Sequence, residues 1–127
     1  RVAKVHAFTS EVELLTSPNF RVAAHLEGDL RPIQFQGSRS VPLLDPRGTI
    51  SNVPPDIQLG PTESIRVVSS RLGGVFPDGL YLGMADQLEM DSGGLFQTGS
   101  VRIDPKLLTL REVAVLIPLA PPEEENP

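Results

Sequence analysis

Apolar and polar residues alternate in short runs along this chain, and nearly every run ends at Gly, Pro, Asn or Asp. Residues 1–8 alternate as a strand, and 12–15 form a short apolar piece ahead of Ser17-Pro18-Asn19. In 20–26, Val22 and Ala24 fall on one face and Ala23 on the other, before Glu27-Gly28-Asp29 stops the run. That period of two, closed by a turn, predicts a half-buried strand. Residues 32–36 predict another, ended by Gly37-Ser38. From Val41 onward Pro42, Pro46, Gly48, Pro54, Pro55 and Gly60 interrupt the pattern. Only two short edge-type strands are expected there, near 41–44 and 49–53, because Pro cannot donate to a ladder. Residues 65–69 and 81–90 are better strands. Residues 95–103 should pair with 81–90 across Asp91-Ser92-Gly93-Gly94, a hairpin composition. Asp104 and Pro105 fit the N-cap and first position of a helical turn, and 112–116 reads as the last strand.

So many short strands predict an all-β domain over residues 1–120, a sandwich or small β-barrel with at most one short helical turn. The segment 121–127 (Pro-Pro-Glu-Glu-Glu-Asn-Pro) is too polar to pack and is expected to be disordered. The chain opens at Arg1-Val2-Ala3 in strand pattern and without Met, which reads as part of a longer protein. A sheet whose neighbouring strands lie elsewhere would expose an edge and invite pairing with another chain.

Composition narrows the function classes. The chain has 127 residues, enough for one domain with its own core, so no disulfide or metal is needed to fold it. With no Cys a disulfide is excluded, while the redox compartment stays open. The 13 Pro residues argue against long helices. The formal net charge is −5 and the basic residues are scattered singly. Phosphate neutralisation needs clustered cations, so neither nucleic acid nor an anionic membrane surface is an expected partner. No apolar run is long enough for a membrane-spanning helix.

Candidate chemistry is thin. Asp91-Ser92-Gly93-Gly94 matches the core of the trypsin-type nucleophile motif, and Ala23-Ala24-His25 is similar to the segment that holds the base in those enzymes. A minimal serine hydrolase is therefore one alternative. Against it, the His25-to-Ser92 interval is too short for two full barrels, and Met90 stands where that motif has Gly. The plainer reading is an exposed hairpin turn. His6 and His25 sit in separate strands without carboxylates at ligand spacing, so no metal site is expected. The acidic pairs Glu11/Glu13 and Asp86/Glu89 read as solvating charge. Gly73-Gly74 precedes no helix and no Lys, so it is no phosphate loop. No catalytic residue and no cofactor are expected.

The most informative stretch joins the two best strands: Ser69-Ser70-Arg71-Leu72-Gly73-Gly74-Val75-Phe76-Pro77-Asp78-Gly79-Leu80-Tyr81-Leu82-Gly83. Gly73 and Gly74 would allow positive φ where the chain leaves the strand. Pro77 fixes φ and Asp78-Gly79 is a strong turn pair. Phe76 is then pinned on a rigid corner, either plugging the core or projecting as an anchor for a partner.

This corner resembles the hallmark of the rod shape-determining MreC family. That pattern sets a small hydroxyl pair, then Gly, an apolar residue, Gly, a spacer, Phe-Pro, a spacer and Gly ahead of a Gly-terminated apolar run. Here those positions are Ser69, Ser70, Leu72, Gly73, Phe76, Pro77, Gly79 and Gly83, with Tyr81 inside the run. Ile103-Asp104-Pro105 and 107–116 are similar to the family's closing segment, and 1–16 to its opening strand. Arg71 departs from the usual Gly, and 38–56 shows little likeness. The resemblance implies a pair of small β-barrels, built somewhat like those of trypsin-type proteases but lacking a triad. It implies a non-enzymatic periplasmic scaffold of the cell-elongation machinery, organising peptidoglycan synthesis for rod shape. A transmembrane helix and a coiled coil would precede Arg1 and be the sole membrane attachment. Implied partners are MreD, MreB-linked components, the penicillin-binding transpeptidase of the lateral wall, and the protein itself. On this reading Ser70, Gly73, Phe76, Pro77, Gly79, Tyr81 and Gly83 form the hallmark and a possible interaction site. A different binding reading is a barrel that captures a peptide or transport partner, as envelope adaptor proteins do.

Overall fold

The computed structural model of the chain describes residues 1–38, 44–74, 76–117 and 119. Among the described residues eight strands follow one another: β1 (Val2–Val5), β2 (Ser10–Val12), β3 (Arg21–Leu26), β4 (Asp29–Gly37), β5 (Arg47–Val53), β6 (Ile65–Ser69), β7 (Tyr81–Met90) and β8 (Gln97–Arg102). Two short 3-10 turns, Arg71–Gly73 and Pro105–Thr109, are the helical elements among the described residues. The all-β expectation holds. The turn at Asp104-Pro105 forms where the cap signal puts it, with the Asp104 carboxylate accepting from the Lys106 N–H at 2.9 Å. The additional turn lies inside the Gly/Pro corner, where the Ser70 hydroxyl caps it.

Strands β3-β4-β5-β8-β7-β6 close into an antiparallel barrel, sealed by β3 pairing with β6 through Ala24 opposite Ser69 and Leu26 opposite Val67. The described residues thus close one barrel of the pair that the resemblance implies. β1 and β2 form a separate two-stranded ribbon, Val2 opposite Val12 and Val5 opposite Ser10.

The period of two decides what the barrel buries. Val22, Ala24 and Leu26 point inward from β3, Ile33 and Phe35 from β4, and Ile50 and Val53 from β5. Val67, Leu82, Ala85 and Val101 complete the interior from the other three strands. Non-local antiparallel pairing of this kind leaves no open edge, which removes the aggregation template that an open sheet would offer. The exposed edge expected from the sequence is therefore absent from the barrel; strand edges remain on the β1–β2 ribbon.

Several boundaries differ from the sequence reading, each for a local reason. Strand β5 is interior to the barrel, between β4 and β8, rather than at an edge. Its prolines lie just outside the ladder: Pro46 precedes the strand and Pro54 follows it. Most of the edge strand expected near 41–44 lies outside the described residues, as does the 121–127 tail. Residues 112–116 form no strand, because no described strand takes up their backbone hydrogen bonds. Ser10-Glu11-Val12, rather than 12–15, is the part of the second run that pairs.

The outer wall is stitched by ions. Asp86 on β7 accepts from both terminal nitrogens of Arg47 on β5 at 3.1 Å and lies 3.1 Å from Arg102 on β8. Arg31 forks between Asp29 and Asp56, tying the β3–β4 turn to the loop after β5. From the start of β8 the buried Gln97 amide donates to the Pro54 and Ile57 carbonyls of that loop at 2.9 and 2.7 Å.

Candidate functional site

Strand β6 ends in Ser69, and that one residue ties the whole corner down. Its N–H donates to the Leu80 carbonyl at 2.8 Å, and its carbonyl accepts from the Gly79 N–H at 2.8 Å. Its hydroxyl donates to the Pro77 carbonyl at 2.6 Å and accepts from the Leu80 N–H at 2.9 Å. Ser70 points the opposite way. Its N–H donates to the Ala23 carbonyl on β3 at 2.9 Å, while its hydroxyl accepts from the Leu72 N–H at 3.2 Å. The adjacent hydroxyls thus do different work: Ser69 staples the far end of the corner, and Ser70 caps its 3-10 turn.

Of the glycines in the corner, Gly74 (φ +72°) and Gly79 (φ +86°) take left-handed backbone, which a Cβ disfavours. Gly73 does not, contrary to the sequence expectation; it lies over the Ala23 side chain, where an added Cβ would come within 3.6 Å. Gly83 serves a different end. A Cβ there would meet the Arg102 carbonyl and stand 2.6 Å from Val101 Cγ1, so Gly83 lets β7 approach β8.

Phe76 neither plugs the core fully nor projects freely. It is half-buried, its ring centroid 5.6 Å from Phe20, which in turn meets Phe35 edge-on at 6.3 Å. An aromatic line therefore runs from the corner to the centre of the barrel. Pro77 is exposed, with its carbonyl held by Ser69. Tyr81 is also exposed, and the Arg66 guanidinium stacks on it 4.4 Å from the ring centroid.

Beside Phe76 and Pro77 an apolar groove of about 350 Å³ opens between the corner, the β1–β2 ribbon and the closing segment. Val2, Val12, Leu80, Val113 and Leu116 line it. A roomier hollow of about 620 Å³ between the 59–64 loop and β7 is polar, with Glu63, Asp86, Glu89 and Arg102 on its walls. In that hollow Asp86 is committed to Arg47 and Arg102. The groove is the better candidate for a contact surface, since it combines apolar lining with a fixed aromatic.

The residues of the hydrolase alternative do not meet. His25 faces Asp78, and Ser92 lies in the exposed β7–β8 turn, where Gly94 N–H donates to the Asp91 carbonyl and carboxylate. Across the rungs His25 sits opposite Val68 and Val68 opposite Tyr81, whereas Ser92 follows Met90 at the far end of β7. The intervening length of strand is about 30 Å. His6 pairs with Glu11 at 2.7 Å on the ribbon. No group of three or more His, Asp or Glu side chains converges among the described residues.

Sequence reasoning found the corner but missed its partners. Alternation along β6 turns Ser69 inward with Val67, opposite Ala24 on β3, but nothing in the local pattern says that its hydroxyl reaches Pro77 and Leu80. Phe20 as the seat of Phe76, and His25 beneath Asp78, are contacts between distant parts of the chain with no local signal.

Comparison with known proteins places this architecture. The sequence pattern of the family described as "Rod shape-determining protein MreC, barrel core" matches residues 1–117. The cell shape-determining protein MreC of Listeria monocytogenes serovar 1/2a (strain ATCC BAA-679 / EGD-e) is 30% identical over 120 residues. That match takes in 91% of this chain and 39% of the relative's length. A solved structure titled MreC shares the fold at a TM-score of 0.66 and 22% identity, over 80% of this chain and 55% of that one. With the family pattern running through both ribbon and barrel, the chain belongs to the MreC family of rod shape-determining proteins.

Proposed function

We propose that this barrel is a non-enzymatic scaffold outside the cytoplasmic membrane, where it holds proteins of the cell-elongation machinery in place during peptidoglycan synthesis. The observation that carries the reading is the rigid corner. Phe76 is anchored on Phe20 on one side and borders an open apolar groove on the other. Such a fixed, half-desolvated aromatic is the kind of residue that dominates protein–protein contacts, because little entropy remains to be lost on binding. Family membership supplies the context, a protein that determines cell shape.

The partners follow from that context: MreD, MreB-linked components and the penicillin-binding transpeptidase of the lateral wall. Membrane attachment would belong to a part of the protein outside these residues. The test is capture of the solubilised transpeptidase by the purified barrel, with Phe76→Ala beside the parent sequence. The scaffold reading expects at least a tenfold loss of capture in the variant, with a cooperative unfolding transition retained. Unchanged capture would remove Phe76 from the interface. Covalent labelling of Ser92 by a fluorophosphonate would restore the hydrolase alternative.

A further inference from the structure

We propose that His25 and Asp78 form a proton-operated latch that seats the 69–80 corner on the outside of the barrel. Alternation along β3 puts His25 on the outer face together with Arg21 and Ala23. An outward imidazole on a small barrel would ordinarily sit in water, yet His25 is only 8% exposed. The corner covers it. Ser70 bonds to Ala23, Gly73 lies over the Ala23 side chain, and Asp78 comes down beside the ring.

The ring nitrogens are held unequally. Nδ1 lies 3.1 Å from the Leu26 carbonyl, which can only accept, so Nδ1 carries a hydrogen and donates. Among the described residues Nε2 is buried without a hydrogen-bond partner, and it faces Asp78 Oδ1 at 3.5 Å. In the neutral ring Nε2 then presents a lone pair to a carboxylate oxygen, and a buried polar atom stays unsatisfied. A second proton makes Nε2 a donor. A closure of a few tenths of an ångström then completes a charge-assisted hydrogen bond. Imidazole is the side chain whose ordinary change of charge falls near neutrality.

The surrounding charges leave Asp78 as the counter-ion. Asp29 at the head of β4 is within the field of His25 but is already engaged by Arg31. Glu27 and Arg66, flanking on the β3–β4 turn and on β6, pair with each other at 3.3 Å. Arg71 in the 3-10 turn is exposed. Asp78 makes no other ion pair among the described residues. The latch is closed when His25 is protonated and opens as the pH rises. Opening removes the contact at Asp78 and leaves the Ser69 staple, the Ser70–Ala23 bond and the Phe76–Phe20 contact to hold the corner. The latch operates whatever the groove binds, so its failure would leave the scaffold reading untouched.

Hydrogen exchange at the Gly79 and Leu80 amides, which donate to Ser69, reads the latch directly. After correction for intrinsic chemistry, both should be about fivefold better protected at about pH 5.5 than at about pH 8. Asp78→Asn keeps the shape and removes the counter-charge, so it should abolish that difference while barrel amides such as that of Phe35 stay protected. Equal corrected protection at the two pH values in the parent protein would overturn the latch. So would an undiminished difference in Asp78→Asn.

Discussion

Inside the barrel, Leu26, Phe35, Ile50, Val53, Val67 and Val101 are sealed from water at 1% exposure or less. Beside Phe76, residues of the same kinds are left open: Val2, Val12, Leu80, Val113 and Leu116 keep between 36% and 67% of their surface exposed. The interior is closed because each strand finds two neighbours. The groove stays open because the ribbon has only two strands and residues 111–117 have no ladder partner among the described residues. One region spends its apolar surface on stability, and the other leaves it open at the surface, where the proposed scaffold function would use it.

The largest way to break that contrast is from within. Phe35→Ala should cost about 3–5 kcal/mol, because a fully buried ring leaves a cavity in a closed barrel that cannot collapse around it. Urea unfolding measures the loss; a cost near that of a surface change would mean the interior is loosely packed. Gly83→Val should cost about 2–3 kcal/mol by forcing β7 from β8 at Val101 and Arg102. The same transition checks it, with retained stability counting against the close approach.

Phe76→Ala should cost only about 1–2 kcal/mol, since half the ring is already wet. A cost equal to that of Phe35→Ala would make Phe76 a core residue and dissolve the distinction between the two regions.

The smallest effect is electrostatic. Arg31 hydrogen bonds bring the Asp29 carboxyl from its ordinary 3.8 down to about 2, and Arg47 hydrogen bonds hold Asp86 below the usual range. A depressed folded-state value means stabilisation that is complete above the unfolded value. It is lost as pH falls through the folded one, a window from about pH 4 to about pH 2. Both pairs are solvent-screened, so the change should be slight. The double variant Asp29→Asn/Asp86→Asn should show a shallower acid limb in urea midpoints between about pH 5 and about pH 2. An unchanged limb would exclude these two carboxyls as its source.

How much of this was legible in the chain depended on whether a feature is local. Strands 65–69 and 81–90 stand where the pattern puts them, because β-branched and apolar runs between strong turn signals have little else to form. The Asp104-Pro105 turn was equally plain. Strand β5 was readable as a strand but not as an interior one, since prolines next to a ladder look in sequence like prolines within it. Residues 112–116 have strand periodicity without a strand, because periodicity reports a face and says nothing of a partner. In the site, the left-handed Gly74 and Gly79 follow from turn chemistry. The Phe76–Phe20 contact and the His25–Asp78 approach arise only when β3 closes on β6, so no window of sequence contains them.

The central claim is that a rigid corner on a closed barrel holds a partner through Phe76 and the groove beside it. Measuring the affinity of the barrel for the lateral-wall transpeptidase, with Phe76→Ala and the remote groove-free variant Thr49→Ala in parallel, tests it most directly. The account predicts at least a tenfold weakening for Phe76→Ala and no change for Thr49→Ala. Equal affinities for all three proteins would contradict it.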